Sequence, residues 1–301
     1  MARRSRRLEV HDAAGSTQES ERKRARKSLA KCAGGELTAQ DGSLYHFTRS
    51  FENLLGILEH DFLPRFCLED IDLAARIVAG RKQSCSVPMV CFCDSPLSRL
   101  RGHMSAYGGY GIGLTKRWAL KNGLSPVFYV DEHSQSYRVM GGFLHLLGER
   151  LSMESEQDSY RESVMWLIEL ASYVKPYAGM MARDGRHLPV TFYEEREWRY
   201  VPMLMTRELA LLGDCPIRLT RREHLDPARL AEANESVARI DRLRFVPDDI
   251  TYLFVRDESE IIPLVNAIVR IKGPDGARYD DDCVRLLTTR ILPSSRIPLD
   301  F

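Results

Sequence analysis

The chain has 301 residues, a formal net charge of +1, 44% hydrophobic and 28% charged residues, the profile of an ordinary globular protein. No run of about 18 apolar residues occurs, which predicts no transmembrane helix, and the basic N-terminus lacks the apolar core of a signal peptide. Seven cysteines, an odd number at irregular spacings, argue against a disulfide framework and predict reduced thiols in a cytoplasmic protein.

The charge is unevenly placed along the chain. Residues 1–31 hold ten Lys and Arg against four acids, with few large apolar groups. Such a segment buries too little to offset its ordering entropy, so residues 1–41 are predicted to be a disordered basic tail. It is suited either to phosphate contact through counterion release or simply to solubilising the chain. Gly34-Gly35 and Asp41-Gly42 separate it from a folded domain over residues 42–301.

Leu44 to Thr48 reads as a strand, and Ser50 as the N-cap of a helix to about His60 with Leu54, Ile57 and Leu58 on one face. Pro64 ends that unit, and Ile71 to Gly80 reads as a second helix. Val87 to Cys93 is a short apolar run of the kind found in buried strands. Pro96 to Tyr107 reads as a helix stopped by Gly108-Gly109. A strand at Ile112 to Thr115, a short helix at Arg117 to Lys121 and a strand at Val127 to Val130 follow. Residues 135–177 carry a helical pattern and read as an inserted hairpin. Residues 189–203 return to strand character and 225–243 to helix. The end reads as strand, helix, strand, with RLLTTRIL as the last strand. The short strands and the lack of a GxGxxG opening a helix favour an α+β fold with a mixed sheet over a doubly wound one.

Two places draw attention as chemistry. His46 sits in the middle of the first aromatic strand, where a hydrogen-bonded core histidine is the plain alternative. In YEEREWRYV, strand alternation puts Glu195, Glu197 and Arg199 on one face and Trp198 and Tyr200 on the other. The aromatics are predicted to pack inward and the carboxylates to face a cleft or solvent. Cys85, Cys91, Cys93 and His103 lack the spacing of a zinc site, so no metal is expected. No GxSxG elbow supports a serine hydrolase.

The stretch YHFTRSFENLLGILEHDFLP resembles the opening of DarT-type ADP-ribosyltransferases. VPMVCFCDSPLS, the AYGGYGIGLTKRWA block, EREWRYVP and the closing RILPSSRIPLDF resemble the AbiGi family of abortive phage-infection proteins. The resemblance spans about residues 43–301. It implies an ADP-ribosyltransferase-like fold with NAD as donor and a nucleic acid acceptor, RNA or DNA. It implies that His46 grips the adenosine-side ribose and that Glu197 binds the nicotinamide ribose. Thr48 and Asn53 would line the pocket, Tyr107 or Tyr110 would stack on nicotinamide, Arg65 would meet the phosphates, and Glu195 would face the acceptor. A fixed carboxylate stabilises the cationic sugar of the transition state, an effect worth about 10²–10³ in rate. On that reading β-strand one and EREWRYV are two walls of one cleft. Phe47 stands where that family usually carries a small residue, and AbiGi proteins are also described as antitoxins. The alternative implied is therefore a catalytically inactive module that binds a partner protein.

Overall fold

The computed structural model describes residues 42–69, 85–153, 166, 169–183, 186–202, 215, 216, 218–271 and 279–300. The predicted basic tail and the predicted helix at 71–80 lie outside these residues. Gly42–Phe301 forms one compact unit by its internal contacts.

Thirteen strands are seen among the described residues: β1 (Ser43–Thr48), β2 (Arg65–Glu69), β3 (Cys85–Cys93), β4 (Tyr110–Thr115), β5 (Ser125–Pro126), β6 (Phe128–Val130), β7 (Val174–Pro176), β8 (Gly179–Arg183), β9 (Arg186–Val190), β10 (Glu197–Tyr200), β11 (Leu219–Thr220), β12 (Ile250–Val255) and β13 (Ile291–Pro293). Nine of them form one sheet, in the order β13-β12-β4-β1-β3-β10-β5, with β2 and β11 also paired to β3. All its pairings are antiparallel except β12 with β13, which run parallel. The fold is thus mixed α+β. Two further ribbons are β6-β7, which pairs a strand before the predicted insertion with one near its end, and β8-β9, which follows it.

The strands form where β-branched and aromatic residues alternate or run together. The helices begin where short polar side chains can cap them. Ser50 accepts the Asn53 N–H at 3.2 Å and opens the helix Phe51–His60, which buries Leu54 and Leu58. Thr115 accepts the Trp118 N–H at 3.1 Å and opens Lys116–Lys121. The helix Leu100–Tyr107 stops at Gly108, whose φ is +120°. A Cβ there would lie 2.1 Å from the Thr48 carbonyl oxygen, so only glycine lets the chain pass β1 so closely.

The inserted segment opens with the helix Gln135–Met153. Its predicted return helix is described only in part, at Trp166 and from residue 169, and the chain is already in strand at β7. The C-terminal reading needs one correction. Residues Asp281–Thr288 are helical, capped by Asp280, and only Ile291–Pro293 of the RLLTTRIL stretch and its neighbour is strand. Asp280 accepts the Cys283 N–H at 2.7 Å, and that cap decides a segment whose apolar residues fit either period.

Each face of the sheet has its own core. Leu44, Phe92, Ile112, Leu114, Trp118, Leu253 and Val255 belong to the larger cluster. Tyr45, Phe47, Cys93, Leu100, Phe254 and Ile297 form a second one. Leu44 and Tyr45 are consecutive in β1, so the two clusters occupy opposite faces.

Candidate functional site

The segment Glu195-Arg196-Glu197 is not a continuous strand. Phe192–Glu195 is a turn of 3-10 helix, and Arg196 follows with φ +46° in the left-handed region. The kink corrects the expectation that Glu195 shares a strand face with Glu197. It brings both carboxylates onto one cation. The Lys175 ammonium lies 2.6 Å from Glu195 Oε2 and 2.9 Å from Glu197 Oε2.

Beyond the kink, alternation holds, and Arg199 lies on the same face as Glu197. Its Nε donates to Glu197 Oε1 at 2.7 Å and its Nη2 to Glu197 Oε2 at 3.2 Å, a two-pronged grip on one carboxylate. Nη2 also donates to Glu69 Oε2 at 2.9 Å and Nη1 to the Ser172 carbonyl at 2.6 Å. Arg199 is fully buried and Glu197 is 7% exposed. Of the two alternatives, a cleft or solvent, solvent is excluded for Glu197 and Arg199: they lie inside, because each has opposite charges to replace water. The aromatic half of that expectation stands, with Trp198 and Tyr200 packed on the larger core.

Burial alone would raise the Glu197 carboxyl, but Arg199 and then Lys175 hold it down, at about 2. Burial alone would likewise lower Lys175 and Arg199, and the surrounding carboxylates, Glu197 foremost, lift both above their ordinary values. Tyr129 receives the Glu197 N–H on its hydroxyl at 2.9 Å. Tyr107 donates to Glu195 Oε1 at 3.0 Å and is in ring contact with His103 at 4.5 Å. His103 is pushed down to about 4, chiefly by burial, and so is neutral near pH 7.

His46 lies elsewhere. It pairs with Ile112 across the β1-β4 ladder, and its ring meets Phe62 at 5.2 Å and Phe92 at 5.7 Å. Its neighbour Tyr45 pairs with Cys93, and Cys93 pairs with Glu197 on the other edge of β3. Residues opposite one another in a ladder share a face, while consecutive residues do not. Tyr45, Cys93 and Glu197 therefore point one way and His46 the other. By register His46 and Glu197 take opposite faces of the sheet, yet the His103 imidazole feels the charge of both, so one group lies within electrostatic reach of each.

The imidazole has a local task. The Nδ1–H of His46 donates to the Cys91 carbonyl at 2.8 Å, just past the point where β1 and β3 stop pairing. A carbonyl can only accept, so the proton is on Nδ1. Burial lowers the pKa of this histidine, so the neutral form is the native one. It replaces a missing rung of the ladder.

The other expected ligands divide between the two faces. Thr48 Oγ1 accepts from Asn53 Nδ2 at 2.9 Å at the end of β1, and Tyr110 pairs with Thr48 across the ladder. Tyr107 joins the Glu195 side. Arg65 is an exposed residue at the start of β2, paired with Met89. The residues that sequence reasoning missed are Lys175 and Glu69. Neither carries a local signal, since Lys175 sits in a segment of helical pattern and Glu69 lies 130 residues from Arg199. Among the described residues no group of three or more His, Cys, Asp or Glu side chains could hold a metal ion. No helix among them is long and apolar enough to cross a membrane.

The family model described as abortive phage resistance protein AbiGi, antitoxin, matches residues 60–256. The chain belongs to the AbiGi family. The abortive phage resistance protein AbiGi of Lactococcus lactis subsp. cremoris is 26% identical over 256 residues, 80% of this chain and 99% of that protein. No solved structure matches. The AbiGi family match begins at residue 60. It takes in the whole charged network from Glu69 to Arg199 and leaves out His46, Thr48 and Asn53.

Proposed function

We propose that this AbiGi chain acts by binding and neutralising a partner protein in a two-component abortive phage-resistance system, as an antitoxin and not as a transferase. The observation that carries this reading is the state of Glu197. Both its oxygens are engaged by Arg199 and Lys175, and its strand neighbour across the sheet is not the histidine that a shared dinucleotide would need. A carboxylate in that setting holds strands together, and three of its roughly four acceptor positions are taken by charged donors. The family description as an antitoxin supports the same reading.

Exposed apolar side chains support the same reading. On the helix Gln135–Met153, Val139, Phe143 and Leu146 follow at helical spacing and are each about 60% exposed. Trp166 and Leu170, four residues apart in the following segment, are 61% and 53% exposed. Large apolar side chains grouped on a polar protein mark interaction surfaces.

Co-expression in a phage-sensitive host tests the proposal. The partner gene of the same defence locus is expected to arrest growth alone, and this chain to restore growth and co-purify with the partner in fixed ratio. Phe143→Asp is expected to abolish rescue while Glu197→Gln, if folded, retains it. Growth arrest by this chain alone, with ADP-ribose appearing on RNA or DNA and lost in Glu197→Gln, would overturn the proposal and restore the transferase.

A further inference from the structure

A pocket of about 380 Å³ opens where β1 passes into the helix Phe51–His60. It is lined by Arg49, Ser50, Phe51, Glu52, Tyr110, Arg256, Glu260 and Pro263. Its size falls in the range of small-ligand clefts, about 300–1,000 Å³. It lies away from the Glu197 network, on the His46 side of the sheet, since Tyr110 belongs to the core cluster of that face.

Its lining carries two guanidiniums, Arg49 and Arg256, and two carboxylates, Glu52 and Glu260, which do not pair with one another as those of the Glu197 network do. Each Glu260 oxygen is held by an uncharged donor, one by the Tyr110 hydroxyl at 2.6 Å and the other by the Arg256 backbone N–H at 2.9 Å. The Arg256 guanidinium instead lies over the Tyr110 ring, 5.1 Å from its centroid. Among the described residues neither Arg49 nor Arg256 has a carboxylate within ion-pair distance. Tyr110 is 4% exposed and carries Phe51 edge-on at 6.1 Å, so the ring is a fixed shelf for Arg256 and not a surface for stacking. Two lining residues, Phe51 and Glu52, begin a helix, and their N–H groups have no carbonyl one turn earlier to meet.

Two guanidiniums without acid partners and two free helix N–H groups on one concave wall suit an anion with several oxygens, and a phosphate or pyrophosphate group has them. We infer that this pocket binds a phosphate-bearing small molecule, gripped at its phosphate end by Arg49 and Arg256. The inference is independent of the partner-neutralising reading, because the helix Gln135–Met153 contributes nothing to the pocket, and either can fail alone.

The test is thermal unfolding and calorimetry of the full chain with inorganic phosphate, pyrophosphate, ADP and NAD as separate probes. Binding by one or more probes is expected, weakened at least about tenfold in the Arg49→Gln/Arg256→Gln double variant, since each lost charged hydrogen bond is worth roughly that much. Both side chains are exposed, so the double variant is expected to unfold at the wild-type temperature in the absence of probe. Binding of pyrophosphate but of no nucleotide identifies a free phosphate ligand; tighter binding of ADP or NAD identifies a nucleotide. If no probe binds at about 10 mM, well above ordinary metabolite affinities, or if the double variant binds as tightly as the wild type, the inference is overturned.

Discussion

The two faces of the central sheet solve the same problem, a polar group under cover, in different ways. On one face Glu197, Arg199, Lys175, Glu195 and Glu69 form a network in which charge answers charge. On the other, His46 is uncharged and gives one hydrogen bond to a backbone carbonyl among aromatic rings. The first arrangement ties β10 to β7 and β2, elements far apart in sequence. The second mends a gap between neighbours in one sheet. Removing a member of the first strands other charges; removing the second strands a single carbonyl.

The largest effect is therefore expected from Arg199→Met. It leaves Glu197 and Glu69 without their guanidinium, and breaking a buried pair in this way costs about 3–5 kcal/mol. Urea unfolding would show it as a large fall in midpoint. A loss below about 1 kcal/mol would mean that water already reaches the network and that Glu197 is freer than the ion pairs imply.

Acid next separates the imidazoles from the Glu197 carboxylate, with His103 and Glu197 on the same side of the sheet. The His103 imidazole has an ordinary value of 6.5 and a folded value of about 4, and burial also lowers His46. The unfolded chain then takes up protons before the folded one. This part of the stability is complete above pH 6.5 and falls as the pH drops towards 4, by about 3 kcal/mol for His103 alone. Glu197 has an ordinary value of 4.5 and is held at about 2, so its contribution stays intact above pH 4.5 and is lost between there and pH 2. Midpoints measured from pH 7 to pH 3 should fall in two stages. His103→Gln is expected to shrink the first stage to the His46 part and leave the second.

His46→Phe should cost less, about 1–3 kcal/mol, the penalty for a buried carbonyl without a donor. The ring contacts with Phe62 and Phe92 would survive the change. The partner-neutralising activity should survive too, which a dinucleotide-gripping histidine would not allow. Growth rescue lost in a variant that is still folded at the assay temperature would place His46 in the function after all.

The contrast also shows what the sequence could reveal. β1, the Ser50 cap and the inward packing of Trp198 and Tyr200 follow from alternation and capping, which are local. So does Arg199 sharing a side with Glu197. The AbiGi family was legible in quoted blocks. What was not legible depends on partners brought by the fold. Nothing near Glu197 announces Lys175 and Glu69, so a carboxylate read as open to a cleft proved to be enclosed. Nor can β1 alone say which strand lies beside it, and that neighbour decides that the His46 Nδ1–H meets the Cys91 carbonyl. RLLTTRIL, read as a strand, shows the same limit on a small scale, where the hydrogen bond to the Asp280 side chain opens a helix instead.

The smallest effect probes how the network was assembled. Arg196 holds φ +46° between the two glutamates, a conformation that costs a non-glycine residue about 1–2 kcal/mol. Its backbone is well used, with the N–H on the Tyr193 carbonyl at 3.2 Å and its carbonyl on the Asp94 N–H at 3.0 Å, while the side chain is exposed. Glycine keeps those backbone bonds and removes the strain, but it adds about 0.5–1 kcal/mol of unfolded-state freedom. Arg196→Gly should thus stabilise the chain by less than about 1 kcal/mol, read as a slight rise in urea midpoint. A clear loss of stability would show that the Arg196 guanidinium itself supports the fold. The kink would then be held by its side chain, and the shared grip of Glu195 and Glu197 on Lys175 would not be enough to set it.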